Sequence, residues 1–333
     1  MDAYRRSGVD RDAARRATDL IRDLAASASR PEVVASVGGF AGLFSLGDGR
    51  LLAAASDGVG TKVEIAREAG RLDTVGIDLV AMCANDVVCT GAEPLLFLDY
   101  IVTDRLVPEA VASLVAGVAE GCRRAGCALL GGETAEHPGH LAEGRFDLAG
   151  FCVGIVAETD VLGPHHVREG DVLVGLPSSG LHSNGFSLVR TVLGDSGIGL
   201  DDTPEGLSRP LADELLEPTT IYVRPVLAAA REGLVSAAAH VTGGGLVENV
   251  PRALPEGLGA ELDRHAWEVP PVIRWVGGRA GVSDEDLAGT LNMGLGMVLV
   301  VPPDRAAEAV RALRDVEARV VGRVIAGAGV RLA

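Results

Sequence analysis

Lysine is all but missing from this chain of 333 residues: Lys62 is the only one, and every other of the 30 basic side chains is arginine. Aromatic residues make up only 3%, so any core must be assembled from Ala, Val and Leu. Positive charge is in short supply as well, with 46 acidic groups giving a net charge of −16. That balance argues against nucleic acid or an anionic membrane as partner, because phosphate backbones are held by surplus Lys and Arg. No apolar run approaches the length of a membrane span, and the charged stretch Met1 to Leu20 lacks the apolar core of a leader. The five cysteines, at 83, 89, 122, 127 and 152, are odd in number and show no zinc spacing. They read as buried free thiols in a reducing compartment, and the expected location is the cytoplasm. What the chain has in abundance is glycine, 44 residues, within a hydrophobic content of 47%. Its length fits two domains with real cores.

The lone lysine closes the most informative stretch, Ser56-Asp57-Gly58-Val59-Gly60-Thr61-Lys62, which follows the apolar strand Leu51–Ala55. Asp57 supplies a carboxylate, the glycines let backbone N–H groups approach a ligand, and Thr61 and Lys62 add a hydroxyl and a compact point charge. A polyphosphate and its metal ion need those groups. The stretch is neither a P-loop, since Thr61 rather than glycine precedes Lys62, nor a dinucleotide fingerprint, since Val63 stands where a third glycine belongs.

Further candidates recur at strand ends. The helix expected over Gly76–Gly91 is apolar nearly all round yet carries Asp78, Asn85 and Asp86; Asp78 and Asn85, seven residues apart, share a face. A carboxylate there must be paired or hold a metal, and Asp86 is the candidate ligand. Cys127–Leu130 reads as a short strand entering a second loop, Gly131-Gly132-Glu133-Thr134-Ala135-Glu136, whose contents repeat those of the first. Two such loops are expected to face one phosphate–metal cluster. After a linker over Glu158–Gly170, the loop from Pro177 to Gly185 places small hydroxyl residues and His182 ahead of a helix, an anion site in kind. The strand Ala237–Val241 leads into Thr242-Gly243-Gly244-Gly245 and another helix, and the apolar run Thr290–Val301 is expected as a central strand. The expected domains are residues 1–164 and 165–333.

Read together, Ser7-Gly8-Val9-Asp10, Asp57–Lys62, Gly76–Pro94 with Phe97-Leu98-Asp99-Tyr100, Gly131–Gly139, Gly180–Arg190, Ala239–Arg252 and Asn292–Met297 resemble the phosphoribosylformylglycinamidine cyclo-ligases (AIR synthetases) of purine biosynthesis. The match runs in the family's order over nearly the whole chain. His137 replaces a usual methionine and Phe186 a common tyrosine. The resemblance implies a two-domain α/β (α+β) fold. In it the N-terminal sheets pair across a homodimer into a barrel, and a C-terminal α/β domain holds a mixed sheet. It implies an ATP-dependent ligase that closes formylglycinamidine ribonucleotide to aminoimidazole ribonucleotide, releasing ADP and phosphate. On this analogy the formyl amide oxygen attacks the γ-phosphorus, and the substrate's own nitrogen then displaces phosphate to close the ring. Such chemistry asks mainly for positioning and charge neutralisation.

By the same resemblance ATP is the co-substrate and Mg²⁺ the cofactor, with a monovalent cation such as K⁺ a further candidate. Asp57, Gly58, Val59, Gly60, Thr61 and Lys62, with Asn85, Asp86, Gly131, Gly132, Glu133 and Thr134, are expected to take ATP. Asp57, Asp86 and Glu133 are expected to hold the metal. Ser179, His182, Ser183, Asn184 and Gly185, with Thr242, Gly243, Gly244 and Gly245, are expected to take the nucleotide substrate. Lys62, His182 and Asp57 are the candidate catalytic groups. Two other readings stand beside this one: a thiamine-phosphate kinase of the same superfamily, whose loops lack the Asp57–Lys62 run, and a non-catalytic nucleotide-binding dimer.

Overall fold

A computed structural model describes residues 11–333; the Ser7-Gly8-Val9-Asp10 stretch lies outside them. The first half runs α1 (Arg11–Ser27), β1 (Val33–Ala35), β2 (Gly42–Ser45), β3 (Arg50–Gly58), α2 (Lys62–Glu68), α3 (Asp73–Val88), β4 (Glu93–Thr103), α4 (Pro108–Ala125), β5 (Ala128–Glu136) and β6 (Phe146–Ala157). Its strands form one mixed sheet in the order β1-β2-β3-β6-β4-β5, with β4 and β5 parallel. Alternation along these strands separates two faces. Phe97, Ile101, Leu148 and Cys152 are buried, and the room beside Gly150 is filled by Phe97 together with Leu79 and Cys83 of α3. The opposite face carries Leu98 and Phe151, cross-strand partners that are 36% and 47% exposed.

Helix α3 is buried without interruption from Val75 to Asn85, as an all-round apolar sequence requires. It lies against α4 where Gly76 meets the backbone of Leu114, Gly117 and Val118. A Cβ on Gly76 would collide there, so glycine sets how closely the two helices approach. This contact fixes α3, and α3 carries three of the polar side chains considered below.

The second half runs β7 (Val172–Pro177), α5 (Phe186–Ser196), α6 (Leu211–Leu215), α7 (Val223–Arg231), β8 (Ala237–His240), α8 (Gly245–Asn249), β9 (Leu258–Leu262), α9 (Pro271–Ala280), α10 (Asp284–Ala288), β10 (Leu295–Val301), α11 (Ala306–Ala312), β11 (Arg319–Ala326) and β12 (Gly329–Leu332). A second mixed sheet has the order β12-β9-β11-β7-β10-β8, parallel only between β12 and β9. Strand β10 is buried at every residue, which its unbroken apolar sequence anticipates.

Three expectations change. Gly131–Glu136 is no loop: β5 continues through it, paired in parallel with β4 from Leu98 to Thr103. Paired glycines suggest a loop, but an edge strand tolerates them, and Gly132 leaves room for the Asp99 carboxylate packed against it. Strand β3 likewise runs on through Asp57 and Gly58, paired with Gly150 and Ala149. The strand expected from Thr290 begins only at Leu295, because Met293 and Gly294 both take positive φ, 52° and 97°.

Candidate active site between the two domains

The last turn of α3 and the end of β3 bring two carboxylates together. Asp57 projects toward α3, where burial and the neighbouring Asp86 charge push its carboxyl up to about 6. Its partial compensation is one hydrogen bond, Oδ1 accepting from the Gly58 N–H at 2.8 Å. Asp86 Oδ1 lies 2.8 Å from Nδ1 of His240, the buried last residue of β8. Two half-buried carboxylates facing each other invite a cation. Mg²⁺ is held by one or two carboxylates and completes its shell with water and phosphate oxygens, so this donor set fits it. Among the described residues no three His, Cys, Asp or Glu side chains converge into a closed metal cage.

Around this pair three loops meet. Gly60, at φ 67°, faces the Ser183 carbonyl of the second domain. Thr61 Oγ1 lies 3.4 Å from Ser187 Oγ in the first turn of α5. Asn184 lies beside Gly243, and its Nδ2 is a buried donor with no partner among the described residues. The Thr242–Gly245 turn is held from behind by Asn249, whose Nδ2 donates to the carbonyls of Thr242, Gly243 and Gly245 at 3.3, 3.0 and 2.9 Å. Gly245 has φ 58°, and a Cβ there would collide with the Ala288 and Leu291 carbonyls, so no other residue fits. The result is a polar junction of the two domains, with glycine backbone from both and the two carboxylates on the first-domain side.

Other expected site residues stand elsewhere. Lys62 is fully buried, and its ammonium faces Asp78. His182 is 1% exposed. Its Nε2 accepts from the N–H groups of Ser179 at 3.2 Å and Thr220 at 3.4 Å, and burial holds its pKa well below the ordinary value. The ring is therefore neutral and enclosed, and its Nδ1 is a buried nitrogen with no partner among the described residues. Asn85 is also buried: Oδ1 accepts from Tyr222 N–H at 2.8 Å and Nδ2 donates to Thr220 O at 2.9 Å, so it docks the domains together. Gly131, Gly132, Glu133 and Thr134 lie on the exposed sheet edge. Asp57, Gly150, Asp99 and Gly132 form one row across four strands. Three strand spacings, about 14 Å, separate Gly132 from Asp57, so within one chain Glu133 does not join the Asp57–Asp86 pair. Ser179 is exposed at the rim, its hydroxyl donating to Pro218 O.

His240 and Arg252 were not singled out by sequence reasoning. His240 ends an alanine strand with no motif of its own, and its one signal was its place two residues before the Thr242–Gly245 turn. Arg252 was one of many arginines until the fold laid it over Phe40. A cavity of about 760 Å³ stands apart from these residues. It lies at the other end of the sheet, where Arg50 and Ala157 are paired. Its charged groups are spent on one another or on close neighbours, Arg231 with Glu93 and Arg50 with Asp48.

Comparison with known proteins agrees with this architecture. The AIR synthase related protein N-terminal domain family matches residues 38–156, and the corresponding C-terminal domain family matches residues 168–333. The phosphoribosylformylglycinamidine cyclo-ligase of Myxococcus xanthus (strain DK1622) is 52% identical over 98% of this chain and 96% of its own length. Among solved structures, tt0281 from Thermus thermophilus superposes with a TM-score of 0.66 at 25% identity, covering 94% of this chain and 95% of that one. AaThiL complexed with AMPPCP and TMP gives a TM-score of 0.67, covering 94% and 92%; at 16% identity it is a likeness of fold alone.

Proposed function

This chain belongs to the phosphoribosylformylglycinamidine cyclo-ligases of the AIR synthase related family, and from that premise we propose how its own residues carry out the reaction. The substrate is formylglycinamidine ribonucleotide, the product aminoimidazole ribonucleotide, and ATP leaves as ADP and phosphate. The formyl oxygen departs with the phosphate, so the ring closes without free water taking part. The near-full-length identity of 52% to a curated cyclo-ligase carries this reading.

Gly58, Val59, Gly60 and Thr61 line the triphosphate, with backbone N–H groups from the last three and the Thr61 hydroxyl. Asp57 and Asp86 hold Mg²⁺, which supplies charge neutralisation at the phosphate oxygens. His240 orients Asp86 by hydrogen bonding, as partners behind a metal ligand do. From the second domain, Ser183, Asn184 and Gly185 meet the reacting part of the nucleotide substrate. The unpaired Asn184 amide is the donor best placed to bond it. Thr242, Gly243, Gly244 and Gly245 take its ribose phosphate. His182 serves by shaping the loop that presents Ser183.

We assign the chain to a homodimer formed through the uncovered sheet face. Leu98 and Phe151 expose apolar area there, while α3 packs on the other side, its Leu79 and Cys83 against Gly150. Five free thiols, four of them buried, fit a cytoplasmic setting. The deciding assay offers the purified protein ATP and Mg²⁺ with formylglycinamidine ribonucleotide or with thiamine phosphate. Phosphate release with the first substrate alone supports the cyclo-ligase, and thiamine diphosphate from the second makes the chain a kinase.

A further inference from the structure

Lys62 follows directly on the proposed phosphate loop, yet its surroundings assign it a different task, one that rests on the loop assignment just made. Its side chain and that of Asp78 are both wholly enclosed. A lysine ammonium carries three N–H bonds, and all three are engaged. Nζ donates to Asp78 Oδ1 at 3.0 Å, to the His182 carbonyl at 3.1 Å and to the Glu217 carbonyl at 2.8 Å. Asp78 Oδ2 stands 2.8 Å away in ionic contact. No proton is left for a phosphate oxygen. Asp78 in turn accepts from the Thr219 N–H at 2.7 Å and the Thr219 hydroxyl at 2.6 Å.

These partners come from both domains. Lys62 opens α2 and Asp78 lies on α3, whereas His182, Glu217 and Thr219 belong to the second domain. His182 has φ 61°, a conformation rare outside glycine. Its carbonyl accepts from Lys62, so the ammonium holds the backbone of that residue while the Ser179 and Thr220 N–H groups hold its ring. Ser183 and Asn184 follow immediately, and Gly58–Thr61 immediately precede Lys62.

We propose that Lys62 is an interdomain positioning residue: with Asp78 and Thr219 it forms a buried clamp that holds the Asp57–Thr61 loop against the Ser183–Gly185 loop, and it does not contact phosphate. This accounts for the single lysine in the chain. The enclosure offers three acceptors around a point, whereas a planar guanidinium with five donors would leave N–H groups unpaired. Removing either charge strands the other in a dry interior, so the pair persists as a unit.

The lysine's uniqueness gives a direct test on the unaltered protein. An amine-acylating reagent, followed by peptide mass mapping, compares Lys62 with the N-terminal amine. The clamp predicts that Lys62 stays unmodified in the native protein, with or without Mg²⁺ and a non-hydrolysable ATP analogue, and reacts only after denaturation. Modification of native Lys62 at the rate of the N-terminal amine would overturn it, and protection by nucleotide would identify a phosphate contact instead. This readout needs no turnover, so it stands or falls apart from the cyclo-ligase reading. Kinetics of Asp78→Asn and Thr219→Val then test positioning. In protein shown to be folded by circular dichroism, kcat/KM for ATP and for formylglycinamidine ribonucleotide should fall together, by about tenfold or more. A fall for ATP alone, or unchanged per-site constants with only less folded protein, contradicts the clamp.

Discussion

Arg252 lies over the ring of Phe40, 3.9 Å from its centroid, and joins the first domain's Gly38–Gly42 turn to the second domain. One guanidinium nitrogen donates to Gly39 O at 2.7 Å and the other to Asn249 Oδ1 at 3.0 Å. Asn249 is the residue that holds the Thr242–Gly245 turn, so Arg252 couples the Gly38–Gly42 turn to the loop proposed to take the substrate phosphate. Arg252→Lys keeps the charge but loses the fork and the flat stack. We expect kcat/KM for the nucleotide substrate to fall about tenfold, with little loss of secondary structure. Steady-state kinetics on the folded variant checks this.

Asp57 makes the ligand-free protein pH-sensitive. Its carboxyl stands near 6 in the fold, against 3.8 for an ordinary aspartate. The folded state therefore binds the proton more tightly than the unfolded chain does. This group's contribution is most favourable below pH 4 and declines as pH rises through 6, by up to about 3 kcal/mol. Asp57→Asn removes the penalty, so the ligand-free variant should melt higher than wild type at pH 8 and nearly alike at pH 4. The same variant should lose the thermal shift that Mg²⁺ with an ATP analogue gives to wild type. Differential scanning fluorimetry at both pH values reads all four quantities, and an unchanged melting temperature at pH 8 would count against the buried-carboxylate account.

The exposed pair Leu98 and Phe151 lies on the face we assign to the dimer. Phe151→Asp places a charge in the middle of that apolar surface, which association would have to desolvate. The assignment predicts that wild type sediments as a dimer and the variant as a monomer. Equal sedimentation of the two proteins would remove this face from the interface.

The two-domain α/β fold was legible because its signals were local: apolar strands ending in glycine turns, and an α3 with no polar face. The site was legible only in part, for a physical reason. Phosphate loops and interdomain hinges use the same residues, glycines with a few short polar side chains, and sequence does not say which way a side chain points. The lone lysine read as a phosphate ligand. In the fold, Asp78, the carboxylate whose burial called for a partner, supplies that partner to Lys62 from sixteen residues away. His182 was a catalytic candidate because hydroxyls surround it in sequence. Sequence does not show that its ring is enclosed, with Nε2 taken by the Ser179 and Thr220 N–H groups and Nδ1 without a partner among the described residues. Gly131–Thr134 looked like a second loop because parallel pairing with β4, between segments some thirty residues apart, leaves no local mark. Nothing near His240 in sequence identified it as Asp86's partner, since the two are 154 residues apart.

Ring closure driven by ATP is read directly in one assay. Purified protein with Mg²⁺, ATP and formylglycinamidine ribonucleotide is followed at once for ADP and for aminoimidazole ribonucleotide. The account predicts one ADP for each imidazole formed, and no ADP above background when the ribonucleotide is left out. ADP released without it, or binding of ATP with no imidazole produced, would contradict the cyclo-ligase.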